Sequence, residues 1–454
     1  MNSSHHERHT AELHQMQRAI AGLLVYQDIL NSEVGKAAIE LLDAIANRDR
    51  SQATALICLT AYGRFFKALA AENCGWEEYL IDRILQAENP FTLQAQNIAV
   101  DVPNGTLDKY LSPALVMAAR QDLQSLYTLY INGHYIPKWV QQVGENPVCW
   151  IESSPIDRIE NRGRANIVSK LDCKNWGEST DVPDNWGELL EDIVRYYQES
   201  GLGIFGKYRA LRWQNSLVGI TTPDRIEIEQ LIGYELQKDT LIKNTKALLS
   251  GKPALNILLY GGKGTGKSSL VKSLLNYFTD SQLRLIEVSK TDMRDLSIIL
   301  DRIADLPQKF IIFIDDLSFE ADDEAFKALK VVLEGSVTAR PANVVVYATS
   351  NRRHLVREYF ADRPRPQDAD DIQMWDTVQE KLSFSDRFGI TLTFEPADQP
   401  KYLEIVHHLA TSAQLPIERD DLERRALQWA TRHNGRSGRT ARQFIDYLMG
   451  NDGE

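Results

Sequence analysis

Apolar residues recur at helical spacing through most of the first 140 positions. In the stretch from Ala11 to Leu30 they fall at Leu13, Met16, Ile20, Leu23, Leu24 and Leu30, close to the i, i+3, i+4 pattern that gives a helix one buried face. Similar spacing over Val34–Ala46, Gln52–Ala70, Trp76–Gln86 and Ala114–Ile131 predicts a helical domain covering residues 1–144. Within it His134, between Gly133 and Tyr135, reads as structural or solvated rather than catalytic. From Glu145 to Gly187 the pattern lapses, and Pro, Asn, Asp and Gly alternate with Trp150, Trp176 and Trp186. That composition predicts an irregular linker whose aromatic residues fill a seam between domains. One helix, Leu189–Tyr197, stopped at Gly201-Leu-Gly203, completes the stretch 145–205.

Beyond residue 205 short apolar runs alternate with helical segments, as in a parallel sheet covered on both faces. Runs at Ile257–Tyr260, Leu283–Val288, Lys309–Ile314, Asn343–Asn351 and Ile390–Phe394 predict about five strands. Helices are expected at Lys238–Leu249, after residue 267, at Met293–Ile303 and at Asp322–Glu334, whereas the Pro- and Asp-rich residues 361–379 read as irregular. After Pro396 the periods over Tyr402–Ala410, Asp421–Thr431 and Thr440–Leu448 are helical again. The expected fold class is α/β: a parallel sheet over 206–396, a helical lid over 397–454, and a mainly helical domain in front.

Chemistry enters at Gly261-Gly-Lys-Gly-Thr-Gly-Lys-Ser268, which follows an apolar strand and opens a helix with apolar Leu270, Val271, Leu274, Leu275 and Phe278. Strand, glycine loop and helix in that order form a P-loop. Backbone N–H groups of Gly261, Gly262, Lys263, Gly264, Thr265, Gly266 and Ser269 are candidates to cradle phosphate oxygens at the helix N-terminus. Lys267 is placed to reach the β- and γ-phosphates, and Ser268 to offer its hydroxyl to Mg²⁺. The run Lys309-Phe-Ile-Ile-Phe-Ile-Asp315-Asp316 is a buried strand ending in two carboxylates, at the sheet edge where ligands bind. Asp315 is expected to hold Mg²⁺ directly or through water, and Asp316 to polarise the attacking water. Asp316 is one methylene shorter than a glutamate, so the water is held differently, Glu320 assists, or hydrolysis is slow. Asn351, with Thr349 as the alternative, could position that water. Gly233 and Tyr234, in an apolar turn about 30 residues before the glycine loop, fit the base pocket.

Composition narrows the class. The chain of 454 residues has 43% apolar and 25% charged residues, ordinary values for a globular protein. A net charge of −12 argues against broad attraction to nucleic acid or to anionic membrane. Cys58, Cys74, Cys149 and Cys173 lack metal-ligand spacing and read as buried thiols of a reducing compartment. No apolar run approaches the roughly 20 residues that span a bilayer, and the N-terminus lacks a signal-peptide core. A cytoplasmic protein is expected.

The order and spacing of these motifs over residues 206–454 resemble the AAA+ ATPases. Asp-Arg-Phe-Gly and Gly-Arg-Thr-Ala elements resemble those of the Holliday-junction branch-migration motor, whereas the Asp-Asp pair is closer to replication initiators and helicase loaders. Ile314-Asp-Asp-Leu-Ser-Phe-Glu320, Tyr347-Ala-Thr-Ser-Asn-Arg-Arg-His354, Phe384-Ser-Asp-Arg-Phe-Gly389 and Gly435-Arg-Ser-Gly-Arg439 are similar to an uncharacterised bacterial family of AAA+-type predicted ATPases. The resemblance implies ATP as the nucleotide, Asn351 as sensor 1, Arg387 as an arginine finger acting in trans, and Arg439 as a sensor-2 arginine in the lid. It also implies self-association in a ring, most plausibly a hexamer. The expected function is Mg²⁺-dependent ATP hydrolysis that remodels a macromolecular partner, with a protein bound through the N-terminal region favoured over nucleic acid. Two alternatives stand beside it: a DNA-linked ATPase, suggested by the arginines at 424, 425, 432, 436, 439 and 442, and a slow nucleotide-dependent switch, suggested by the short Asp316.

Overall fold

A computed structural model describes residues 2–48, 51–98, 105–142, 148, 162–172, 185–279, 281–318, 324–334, 341–351, 387–433 and 435–451. Trp150, Trp176, Cys149, Cys173, Glu320, residues 361–379 and the motif residues 352–354 and 384–386 lie outside the described residues. The chain divides into two compact units, Met1–Lys207 and Tyr208–Glu454.

The first unit is helical among the described residues: α1 (Asn2–Ala21), α2 (Glu33–Ala46), α3 (Gln52–Glu72), α4 (Trp76–Leu85), α5 (Pro90–Ala95), α6 (Pro113–Asn132), α7 (Ile136–Gln141), α8 (Arg162–Leu171), α9 (Leu190–Ser200) and α10 (Gly203–Lys207). Ser32 and Ser51 cap α2 and α3 by accepting the amides of Gly35 and Thr54. The helix expected to run to Leu30 stops at Ala21. Past Gly22 the amides of Leu24, Val25 and Tyr26 turn onto the buried Asp122 carboxylate at 2.7–3.0 Å. Leu23, Ile29 and Leu30 are nevertheless buried, so their spacing recorded burial rather than helix. Trp186 also departs from expectation. Its ring lies 4.9 Å from that of Tyr130 and its Nε1 donates to the Leu171 carbonyl at 3.0 Å, inside the core of the first unit rather than at a seam. His134 is a surface residue whose Nδ1 pairs with the Ile131 carbonyl.

The second unit holds β1 (Ala210–Trp213), β2 (Leu217–Gly219), α11 (Glu235–Leu249), β3 (Ile257–Gly261), α12 (Lys267–Tyr277), β4 (Leu283–Glu287), α13 (Leu296–Ile303), β5 (Lys309–Ile314), α14 (Glu324–Glu334), β6 (Val344–Ser350), β7 (Ile390–Phe394), α15 (Gln399–Ser412), α16 (Arg419–Arg432) and α17 (Gly438–Asn451). Seven strands form one sheet in the order β2-β1-β4-β5-β6-β3-β7, parallel except for the β1–β2 hairpin. The five expected strands are present, and β1 and β2 extend the sheet on the far side of β4. The hairpin turn uses Asn215 in the left-handed region (φ 57°), a conformation asparagine tolerates.

Residues Phe310–Ile314 of β5 and Val345–Ala348 of β6 are fully buried, which explains their uninterrupted apolar run. Tyr347 is the polar exception. Its hydroxyl meets Asn244 Nδ2 and Thr245 Oγ1 of α11, each at 3.0 Å, and burial pushes its pKa up to about 12. Helices α15–α17 enclose their own core of Tyr402, Val406, Leu422, Ala426, Phe444 and Ile445. The second unit is thus an α/β fold, a mostly parallel sheet followed by a C-terminal helical lid. Among the described residues no helix is long and apolar enough to cross a membrane.

Candidate nucleotide-binding site

The C-terminal ends of β3, β5 and β6 meet at one edge of the sheet, because Leu259 pairs with Thr349 and Ile314 with Ala348. The glycine loop leaves β3 there. Gly261 is required by space: with φ at 153°, an added Cβ would sit 2.0 Å from the Phe394 carbonyl oxygen. Gly264 and Gly266 are left-handed, at φ 78° and 88°, and turn the chain into α12.

Lys267 opens α12 and is nearly fully buried. Its ammonium donates to the carbonyls of Gly261 (2.9 Å) and Gly262 (2.7 Å) and lies 3.4 Å from Asn351 Oδ1. Burial lowers its pKa, Asp315 and Asp316 oppose that, and the Arg439 charge adds to the lowering. Ser268 Oγ donates to Asp315 Oδ1 at 2.6 Å, and Thr349 Oγ1 donates to the same oxygen at 2.5 Å. Asn351 Nδ2 donates to Asp316 Oδ1 at 2.5 Å. Lysine, serine, both acids and the asparagine thus form one connected network.

The donor set suits Mg²⁺. A hydroxyl and a carboxylate side by side are hard oxygen ligands, and Mg²⁺ completes its octahedron with waters and substrate phosphates rather than a full protein cage. Among the described residues no group of three or more His, Cys, Asp and Glu builds such a cage.

A cleft of about 810 Å³ opens over this network. Gly233, Tyr234, residues 263–269, Asp315, Asp316, Asn351 and Arg439 line it, whereas Gly261 and Gly262 do not and instead serve Lys267 through their carbonyls. Tyr234 caps α11 in a left-handed conformation (φ 62°). Its hydroxyl donates to the Glu395 carbonyl, its ring lies 4.8 Å from Phe394, and the Lys401 ammonium sits 4.4 Å from its centre. Tyr234 therefore braces the junction of sheet and lid as well as the cleft wall, which Gly233 shares. The lid touches the glycine loop directly, for the Arg439 amide donates to the Gly264 carbonyl at 3.3 Å.

Arg387 is not in this cleft. It precedes β7, whose Ile390 pairs with Ile257 at the start of β3, whereas Gly261 pairs with Phe394. At least four residues of strand, roughly 13 Å, separate it from its own glycine loop. Ile226, Ile405 and Leu409 also line the cleft without a sequence expectation, as does Arg442, which the sequence marked only as one of several C-terminal arginines. For Arg442 a signal existed: it follows Arg439 by three residues, one helical turn on the same face.

A family model described as a protein of unknown function (DUF815) matches residues 206–452. Among curated proteins none matches the chain. Similar solved structures include the Holliday junction branch migration motor RuvB of Thermotoga maritima, 16% identical over 49% of this chain and 72% of that one, with a TM-score of 0.31. Two single-residue variants of the same protein align over the same shares at 16% identity with TM-scores of 0.32.

Proposed function

The chain belongs to the DUF815 family of proteins of unknown function, and we propose that this member is a Mg²⁺-dependent ATPase of the AAA+ type that works as an oligomer. The observation that carries the reading is the convergence of Lys267, Ser268, Asp315, Asp316 and Asn351 on one cleft at the end of a parallel sheet. Lys267 exchanges its carbonyl partners for β- and γ-phosphate oxygens, and the amides at the start of α12 add the helix's positive end. Ser268 and Asp315 would hold Mg²⁺, which would neutralise charge on the phosphates. Asp316 accepts the proton of the attacking water, and Asn351 orients that water. Arg439 approaches the phosphates from the lid. Ile226, Leu231, Ile232 and Leu409 offer the adenine an apolar bed.

The place of Arg387 supports action in trans. It stands at the opposite end of the β3–β7 pair from its own glycine loop, and closure of copies into a ring of six would carry it to the cleft of a neighbour. Arginine fingers in other nucleotide hydrolases contribute roughly 10³–10⁵ to the rate.

The module boundaries of this reading are a helical domain over 1–144, a connecting stretch over 145–205, the ATPase core over 206–396 and the lid over 397–454. The N-terminal region serves as the adaptor for a protein partner, on which the work of hydrolysis is spent. Its charge supports that choice over nucleic acid: residues 1–207 carry 18 Lys and Arg against 27 Asp and Glu. The arginines of α16 are partly neutralised as well, since Arg419 pairs with Glu423, and Arg424 and Arg425 with Asp421. One observation favours slow, switch-like turnover: the Asp316 carboxylate is already bound by Asn351.

Steady-state phosphate release with ATP and Mg²⁺ tests the proposal. Release is expected from the intact protein and absent from Lys267→Ala. A rate equal in the two proteins refutes hydrolysis at this cleft.

A further inference from the structure

The two acids of the site differ in how they are held, and one buried hydroxyl links them. Thr349 is the next-to-last residue of β6, with only 2% of its surface exposed. Its Oγ1 donates to Asp315 Oδ1 at 2.5 Å and accepts the Asp316 amide at 3.0 Å, and its carbonyl accepts the Leu317 amide at 2.7 Å. The turn Asp315–Leu317 is therefore fastened to β6 at three points through a single residue. Three donors converge on Asp315 Oδ1, from Ser268, Thr349 and the Asp316 amide, and among the described residues Oδ2 accepts none. The same fastening holds Asp316 at φ 51°. Aspartate is one of the few side chains that tolerate this left-handed region, because its short polar group bonds locally. From that backbone Asp316 reaches Asn351, and through it Lys267.

We propose that Thr349 is the positioning residue of this cleft: its hydroxyl aims the Asp315 carboxylate at the metal and holds Asp316 in a left-handed turn that suits an aspartate and disfavours a glutamate. The proposal rests on the ATPase reading and deepens it. The short acid becomes a matched part of the turn rather than a defect. Thr349 lines the cleft, but its hydroxyl proton is committed to Asp315 and its oxygen to the Asp316 amide, so it acts through the two acids. A hydroxyl that merely satisfied a buried strand end would leave the metal dependence untouched on removal.

Three variants of the full chain decide between these: Thr349→Val, which keeps the shape without the hydroxyl, Thr349→Ser, which restores it, and Asp316→Glu. Equilibrium binding of a fluorescent ATP analogue is titrated with Mg²⁺, alongside phosphate release and thermal unfolding. Thr349→Val is expected to bind the analogue without Mg²⁺ as the parent does, while needing about 10- to 100-fold more Mg²⁺ for the metal-dependent gain, the usual loss when a hydrogen bond behind a metal ligand is removed. Thr349→Ser is expected to recover most of that loss, and Asp316→Glu to release phosphate more slowly than the parent. A Thr349→Val protein with parental Mg²⁺ dependence overturns the proposal, as does an Asp316→Glu protein faster than the parent. If Thr349→Val fails to fold, Thr349→Ser and Asp316→Glu still carry the test. A parent protein that binds no nucleotide brings down the ATPase reading itself, and is told apart by the absence of any titration to compare.

Discussion

Replacing Gly264 by alanine separates two effects that the structure places at one residue. The first is conformational. At φ 78° an alanine pays roughly 1–2 kcal/mol for the left-handed backbone. The second is contact with the lid: the new Cβ would lie 2.8 Å from Ser437 Oγ, 3.1 Å from Ser437 Cβ and 3.2 Å from Arg439 Cβ. The hydroxyl can rotate away, but the two Cβ atoms move only with the lid backbone. A shift of a few tenths of an ångström then stretches an amide-to-carbonyl bond that is already 3.3 Å long, a bond with a net worth of about 1 kcal/mol. The total is about 2–3 kcal/mol. Gly251→Ala is the control, for Gly251 is also left-handed (φ 67°) but has nothing within 4 Å of the added atom. Urea unfolding of the second unit should show Gly251→Ala losing only the conformational part and Gly264→Ala losing about 1 kcal/mol more. ATP-analogue affinity should fall in Gly264→Ala alone. Equal losses in the two variants, with equal nucleotide affinity, refute the lid contact as a source of stability.

Two further outcomes concern the supports of the fold. Asp122→Ala leaves the buried amide of Tyr26 and the part-buried amides of Leu24 and Val25 without their acceptor, so the first unit should lose about 1–3 kcal/mol, the cost of the one stranded buried donor; a loss under about 1 kcal/mol in urea contradicts this. Tyr347 gives a pH signature. Its pKa is raised from 10 to about 12 in the folded chain, so its share of stability is intact below pH 10 and is lost as pH rises from 10 toward 12. Relative to Tyr347→Phe, the parent should lose about 1 kcal/mol between pH 9 and pH 11, and a difference independent of pH speaks against the burial assigned to that hydroxyl.

Much of the second unit was legible because its strands are buried on both faces, and a run such as Phe310–Ile314 has few other readings. The P-loop was legible for a different reason: its glycines answer to backbone geometry that few other residues can adopt. The short strands β1 and β2 escaped, since four and three residues carry too little periodicity to stand out. Spacing misled at residues 22–30, where apolar side chains reach the core from a loop anchored by Asp122, a residue almost 100 positions away in the chain. Trp186 misled because its polar neighbours hid a position in the first unit's core. The left-handed turn at Asp316 could not be read from residue identity, because it depends on a hydroxyl delivered by another strand. Arg387 was recognisable as a motif, but only the pairing of β3 with β7 places it away from its own cleft.

Subunit mixing tests whether a neighbouring copy completes the cleft. Lys267→Ala and Arg387→Ala are each expected to release almost no phosphate, the latter while still binding nucleotide. Mixed one to one and allowed to reassemble, about a quarter of the interfaces in a ring join an intact glycine loop to an intact arginine. Phosphate release should then return to as much as about a quarter of the parental rate. Full activity in Arg387→Ala alone, or a mixture that reassembles and remains silent while the parent hydrolyses ATP, contradicts it.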